Sequence, residues 1–320
     1  MENRNLTMEL AMLIGQPINT QLPAAFELAA IADVLYAEAG DHVWRFSGLD
    51  TVADVVLAIN SSTGAITPVK RSPVGDVELT FTGLVSKEEY VLLTDVIAAA
   101  DKRLFASRKA SISRAMDKRE LQLVIAALMA KTGGYLPGAN PHEYTPVSTE
   151  DIYDVIMGMK HLVEDYGDGY VLLCGSTVKE EIDNYDKEKS GSLNYNVDIF
   201  GMLNKVGIEI VKVYGSVSSA TNEAEVVVMT ATDMILVAKR SNLPGAEGKP
   251  IKFVRRKIGE EAAKGLGAEI DTAQRALVVQ GPVNVAGVGT MAYSVVGVES
   301  VIFCITNPKA IVICDASSVL

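Results

Sequence analysis

The sequence is poor in the residues that carry most protein chemistry. It holds three histidines, three cysteines and one tryptophan in 320 residues. His42, His142 and His161 stand at no spacing that places two on one helix face, and no Cys-x-x-Cys pair occurs, so structural zinc has no support. Cys174, Cys304 and Cys314 lie in apolar, strand-like runs. An odd number without paired spacing argues against a disulfide framework and for a reducing cytoplasm. Long hydrophobic runs are also missing: the longest, Leu123–Ala130, falls far short of the about 20 residues a membrane-spanning helix needs. The start, Met1-Glu2-Asn3-Arg4, has neither the basic region nor the apolar segment of a secretory signal, so synthesis in a cytoplasm is expected. Basic residues are the scarcer sign, 29 against 40 acids, for a formal charge of −11. A protein that coats nucleic acid has the opposite balance, although an acidic wall can enclose nucleic acid without adhering to it.

Catalytic patterns are equally thin. Gly265-Leu266-Gly267 and Gly287-Val288-Gly289 are bare pairs with no third glycine opening a helix, and read as turns. Asp183, Asp186 and Glu188 lack the regular alternation and the glycine of a calcium loop. The nearest approach to a nucleophile is Cys174-Gly175-Ser176-Thr177, where a strand gives way to a helix whose N-terminus could stabilise a thiolate, with His161 as base. The competing reading is a buried small residue followed by a serine N-cap. No metal, no cofactor and no enzymatic activity are expected.

What is present is architecture. From Leu84 to Thr132 there is neither glycine nor proline, and Leu93, Ile97, Ala100 and Leu104 form one apolar stripe. A continuous helix over Lys87–Lys131 would reach about 65 Å; it reads as a spine, whole or broken once near Ala110–Ser113. It carries Lys102, Arg103, Arg108, Lys109, Arg114, Lys118 and Arg119. With Asp101, Asp117 and Glu120 among them, these bases read as a salt-bridged solvent face, or as a contact for an acidic neighbour or enclosed nucleic acid.

Before the spine, residues 1–36 read as an arm with helical pieces at Thr7–Leu13 and Ala24–Tyr36. Residues 42–83 read as a long β-hairpin. Its strands are Val52–Ile59, a return from Ala65–Lys70 after the turn cluster Asn60–Gly64, and the alternating Val77, Leu79 and Phe81. A projecting two-stranded ribbon is unstable by itself, so something must cover it. After the spine come a loop, Gly133–Pro146, and a helix, Asp151–Glu164, with Ser148 as N-cap. A strand, Tyr170–Cys174, then precedes a helix, Ser176–Tyr185, and a polar loop, Asp186–Asn196. The remainder is mostly strand: Gly207–Tyr214, Ala224–Met229, Met234–Ala238, Ile251–Val254, Ala276–Gln280, Met291–Val296, Val301–Cys304 and Ala310–Cys314, with a helical piece at Glu260–Leu266. At 48% hydrophobic residues without a membrane span, surplus apolar surface points to subunit interfaces.

This order resembles the major capsid proteins of tailed bacteriophages, the Hong Kong 97-type fold. Gly64–Lys70 leading through Pro73 to Val77–Phe81 looks like the family's extended loop. Lys87–Lys131, with Arg114-Ala115-Met116 and Arg119-Glu120, is similar to its spine helix. Ile152–Leu162, Tyr170–Cys174 and Ser176–Tyr185 look like the entry to its axial domain, and Met234–Ala238 running into Leu243-Pro244-Gly245 resembles a later strand and loop there. The resemblance implies an α+β chain with an N-terminal arm (1–41), an extended β-hairpin loop (42–83), a spine helix of the peripheral domain (84–133) and an α/β axial domain with returning peripheral strands (134–320). It implies a structural protein that forms hexamers and pentamers of an icosahedral shell. That shell would enclose viral double-stranded DNA without sequence-specific binding, as part of a virion assembled in a bacterial cytoplasm. Portal, scaffolding and decoration proteins would be its partners, and no membrane is involved. Inter-subunit contacts are expected at Val77, Leu79 and Phe81, and at Arg108, Arg114 and Arg119. An encapsulin-like nanocompartment shell and an oligomeric thiol enzyme using Cys174 are the alternatives.

Overall fold

A strand of 15 residues and a helix of 27 residues cross the centre of the molecule and organise the rest. The computed structural model describes residues 23–49, 75–93, 104–131, 140–193, 198–217, 227–242, 248–265, 267–284 and 291–320. Along it run α1 (Pro23–Ile31), β1 (Ala32–Ala37), β2 (Val43–Leu49), β3 (Gly75–Thr80), β4 (Thr82–Val85), β5 (Glu89–Leu92) and the long α2 (Leu104–Ala130). There follow β6 (His142–Tyr144), α3 (Ile152–Val163), β7 (Gly167–Cys174), α4 (Ser176–Leu193), α5 (Ile199–Lys205) and β8 (Ile208–Lys212). The chain continues through β9 (Ser216–Val217), β10 (Met229–Thr230), β11 (Asp233–Ser241), β12 (Ile251–Arg256), α6 (Glu260–Gly265) and β13 (Ala268–Ile270). It ends with β14 (Ala276–Asn284), β15 (Met291–Ile305) and β16 (Ile311–Asp315).

Two sheets carry the body. One is five-stranded in the order β6-β16-β11-β7-β8. Its strands β7, β11 and β16 are near-continuous apolar runs because both faces are covered. Tyr170, Leu172 and Cys174 face α3, α4 and α5, while Val171 and Leu173 face α1 and α2. The other sheet is seven-stranded and built on β15, which takes β12 and then β14 along one edge and β4 and then β5 along the other, so that Val301 pairs with both Arg255 and Thr82. The C-terminal half of α2 is shared by both: Leu121, Val124, Ile125 and Leu128 join one core with Ile235 and Ile311 from the first sheet and Phe253 and Phe303 from the second. Each such side chain, fully buried, contributes about 1.5–3 kcal/mol.

Several expectations are corrected by pairing. Leu84–Leu92 is two short strands rather than the start of a helix. Ser86 accounts for the break: its N–H donates to the Gly297 carbonyl at 2.9 Å and its Oγ accepts the Gly297 N–H at 2.8 Å. A free edge on β15 outweighs weak helix propensity there. The helix is therefore about 40 Å long, and it runs unbroken through Ala110–Ser113, where Ser113 Oγ donates to Asp271 at 3.0 Å. Ala24–Tyr36 is helix only to Ile31; Ala32–Ala37 pairs parallel to β12, with Asp33 bonded to Lys252 at 2.5 Å. Asp151, not Ser148, caps α3 by accepting the Asp154 N–H at 3.1 Å. The Gly133–Pro146 loop contains strand β6, and α4 runs on to Leu193 through the expected polar loop. Met291–Val296 and Val301–Cys304 are one strand, because Gly297 is a place of close approach and not a turn. A Cβ there would meet Met116 Sδ at 2.6 Å and Ile112 Cγ2 at 2.7 Å. Thr7–Leu13, Val52–Ile59, Asn60–Gly64 and Ala65–Lys70 lie outside the described residues, as do Asp101, Lys102 and Arg103.

Candidate functional site

The long helix divides its charges by face. Its buried stripe runs through Phe105, Ile112, Met116, Leu121, Val124 and Leu128, with Lys109, Ser113, Asp117 and Glu120 at the helical positions between them. Asp117 and Glu120 fall inside that stripe and are buried with it. They meet two arginines, one on a strand of the seven-stranded sheet and one in the turn that leads into another. Arg255 on β12 donates Nε to Glu120 Oε1 at 2.8 Å and Nη2 to Oε2 at 2.5 Å. Arg275, 1% exposed and immediately before β14, donates Nη2 to Asp117 at 2.6 Å, Nε to Glu299 at 2.5 Å and Nη1 to the Ser113 carbonyl at 3.2 Å. Its Nη2 also lies 3.1 Å from Glu120. Two turns before Asp117, buried Lys109 pairs with Glu269.

This cluster fixes how the helix lies on the sheet. Burial works against charge on Glu120, yet Arg275 and Arg255 hold its carboxyl below the ordinary value. Glu299 goes the other way: burial, then repulsion from Glu120, pushes it up to about 8, and its Oε1 has no hydrogen-bond partner among the described residues. A charged Glu120 and a protonated Glu299 are the arrangement that two guanidinium groups can satisfy. Glu27 on α1 is likewise buried, raised to about 7 by burial, and accepts the Tyr214 N–H at 2.8 Å.

The outward face of α2 is left with bases. Its exposed residues include Ser107, Arg108, Ser111, Arg114, Ala115 and Arg119, and the helix has no exposed acid because both of its acids point inward. The expected salt-bridged face with Asp117 and Glu120 is thus absent. Arg108 meets Glu89 of its own chain at 3.1 Å, and Arg119 donates to Gln122. Among the described residues no acid pairs with Arg114 or Arg119.

The second surface is the ribbon. Strands β2 and β3 pair antiparallel from Val43↔Thr80 to Leu49↔Gly75, which is the base of the expected hairpin; its tip, residues 50–74, lies outside the described residues. Val77, Leu79 and Phe81 are half-buried and pack with Trp44 and Phe46 on Ala37, Val254, Ile302 and Cys304 of the chain's own sheet. Their alternation therefore marks the inner face of the ribbon within one chain. Beside the ribbon the same sheet face is open. A shallow cavity of ≈ 290 Å³ is lined by Ala39, Arg256, Ile258, Val278 and Val298, and the cross-strand pair Val85 and Val298 is exposed next to it.

Arm-proximal helix, ribbon, long helix and two sheets in this order have counterparts among solved structures. A phage-related protein from Bordetella bronchiseptica RB50 aligns over 97% of this chain and 97% of its own, at 12% identity and a TM-score of 0.54. The capsid of an empty GTA particle aligns over 94% and 92%, at 9% identity and 0.52. The virus-like particle from Pyrococcus furiosus aligns over 97% and 98%, at 13% identity and 0.50. The fold is of the Hong Kong 97 type. No protein-family model and no curated protein matches the sequence.

The remaining candidate within this Hong Kong 97-type fold is Cys174. It is fully buried, its Sγ lies 3.7 Å from the Val211 carbonyl, and burial pushes its thiol up to about 12. The helix N-terminus beside it is already filled, since the amides of Thr177 and Val178 donate to the Ala231 carbonyl at 3.1 and 3.4 Å. His161 is exposed and turned to Glu164. The geometry is that of a core residue. Sequence reasoning missed the Arg255–Arg275 cluster, although Asp117 and Glu120 falling on the apolar stripe was a signal for it.

Proposed function

We propose that many copies of this chain assemble, through hexamers and pentamers, into a closed icosahedral shell that encloses double-stranded DNA, as the major capsid protein of a tailed bacteriophage. The observation that carries the reading is the Hong Kong 97-type fold over nearly the whole chain, matched at almost full length in both directions by particle-forming proteins. Two features of the chain support it. An apolar stretch of the seven-stranded sheet, around Val85 and Val298, lies open beside the docked ribbon and is suited to burial by a neighbour. Rigid anchoring of α2 by the Arg255–Arg275 cluster gives each copy one geometry, which a shell of identical parts requires.

The contents of the particle are the test. Particles isolated by sedimentation are treated with nuclease and then opened. Protected double-stranded DNA is the expected result. Particles that hold only a protein cargo would assign the chain to a nanocompartment instead.

A further inference from the structure

We infer that the outward face of α2 is a contact surface for the phosphate backbone of nucleic acid, with Arg114 and Arg119 as its anchors and Arg108 at its edge. This rests on the enclosure of DNA proposed above and names where on the chain the enclosed polymer is touched.

The first observation is the segregation of charge. In a chain with 40 acids and 29 bases, a helix that carries Asp117 and Glu120 shows neither on its surface, because Arg255 and Arg275 hold both beneath it. The buried cluster thereby strips the outer face of its negative partners. Lys109 and Lys118 are buried as well, so the exposed cations are all arginines, the side chain whose planar fork fits a phosphate by two hydrogen bonds. Arg114 and Arg119 find no acid among the described residues, and the Arg108–Glu89 pair is half-exposed and worth little.

The second observation is the floor between the arginines. It is made of Ser107, Ser111 and Ala115, small or hydroxyl-bearing side chains. The exposed large apolar residue of this helix is Met129, near its far end. A stable protein interface sets its arginines around aromatic or large apolar anchors in pockets, and between Arg108 and Arg119 this face exposes no aromatic or large apolar side chain. A backbone of phosphates needs none: arginine and serine donors along a smooth ridge are sufficient. From Arg108 to Arg119 the ridge measures about 16 Å at 1.5 Å per residue, the length of a few successive phosphates. A small number of contacts per copy, repeated over a shell, holds a polymer loosely and without reading its sequence.

The experiment compares the full-length wild type with the double variants Arg114→Ala/Arg119→Ala and Arg114→Lys/Arg119→Lys. Alanine and lysine are strong helix formers, so neither pair disturbs an exposed face. Binding of a mixed-sequence DNA duplex is followed by fluorescence anisotropy over a salt series, and assembly by sedimentation. Both variants should assemble normally. The alanine pair should lose about two units of the log–log salt slope, and the lysine pair should keep it. An unchanged slope in the alanine variant, or no salt-dependent duplex binding by the wild type, overturns it. Loss of assembly in the alanine variant with recovery in the lysine variant also overturns it, and assigns the arginines to acids of a second copy. Wild-type particles with nuclease-protected DNA but an unaffected alanine variant remove this inference and leave the proposed function standing; particles without DNA remove the proposed function itself.

Discussion

Arg255 grips Glu120 with both arms of its guanidinium, at 2.8 and 2.5 Å, across 135 residues of sequence and at full burial of the acid. Arg275 completes the contact at 3.1 Å from the same carboxylate. A buried ion pair adds little over a well-packed apolar pair, but removing one partner strands the other.

Glu120→Gln leaves two buried guanidinium groups sharing a neutral amide. It should cost about 3–5 kcal/mol, seen as a lower midpoint in chemical denaturation of the dissociated chain. Glu299→Gln should cost much less, because Glu299 is already held near neutrality by burial. Equal losses from the two variants would contradict the division of charge described for the cluster.

The pH dependence follows from the same groups. The folded carboxyls of Glu299 and Glu27 lie at about 8 and about 7, above their ordinary 4.5, so the folded state binds more protons than the unfolded in that interval. Stability from these groups is complete below about pH 4.5 and is lost as pH rises through 7 to 8. The melting temperature should therefore fall across that window, and Glu299→Gln should flatten the fall, gaining on the wild type as pH rises. A wild-type profile that climbs from mildly acid to mildly alkaline pH contradicts the assignment.

Gly297→Ala tests the seating of α2 on β15. The added methyl would press on Met116 and Ile112 in the helix's buried face. A destabilisation of about 1–3 kcal/mol is expected from overpacking. Gly83→Ala, where nothing lies within 4 Å of the added carbon, serves as the control and should change little.

The ribbon carries its own reporters. Trp44, the tryptophan of the chain, packs in the ribbon's apolar cluster, and Cys304 lies fully buried beneath it. Phe81→Ala removes a ring that caps this cluster and faces Arg256 at 5.7 Å. It should shift Trp44 emission to the red and make Cys304 the first thiol to react with an aromatic disulfide, while Cys174 and Cys314 stay protected. In the wild type all three thiols, each raised to about 12 by burial, should be unreactive until unfolding. Prompt reaction of Cys174 in the native chain would favour the thiol-enzyme alternative.

Legibility of the structure in the sequence depended on the range of the interactions involved. The sheet strands Tyr170–Cys174 and Met234–Ala238 were readable because double burial leaves an uninterrupted apolar run. So was α3, whose face Ile152, Val155, Ile156 and Met159 repeats at helical steps. Leu84–Leu92 misled because its composition suits a helix, while the feature that makes it strand, the edge of β15, lies some 200 residues away in the chain. Likewise Asp117 and Glu120 look like members of a solvent-facing charge cluster when read locally. Their partners Arg255 and Arg275 are distant in sequence, and only folding turns those acids inward. The ribbon's alternation located an apolar face correctly but could not tell which chain would cover it.

Electron microscopy of the purified full-length chain bears most directly on the proposal that geometry is the function. Closed, isometric shells with clusters of five and six subunits on their surface are expected. A chain that stays monomeric or dimeric under every assembly condition, including the native lysate, would contradict it.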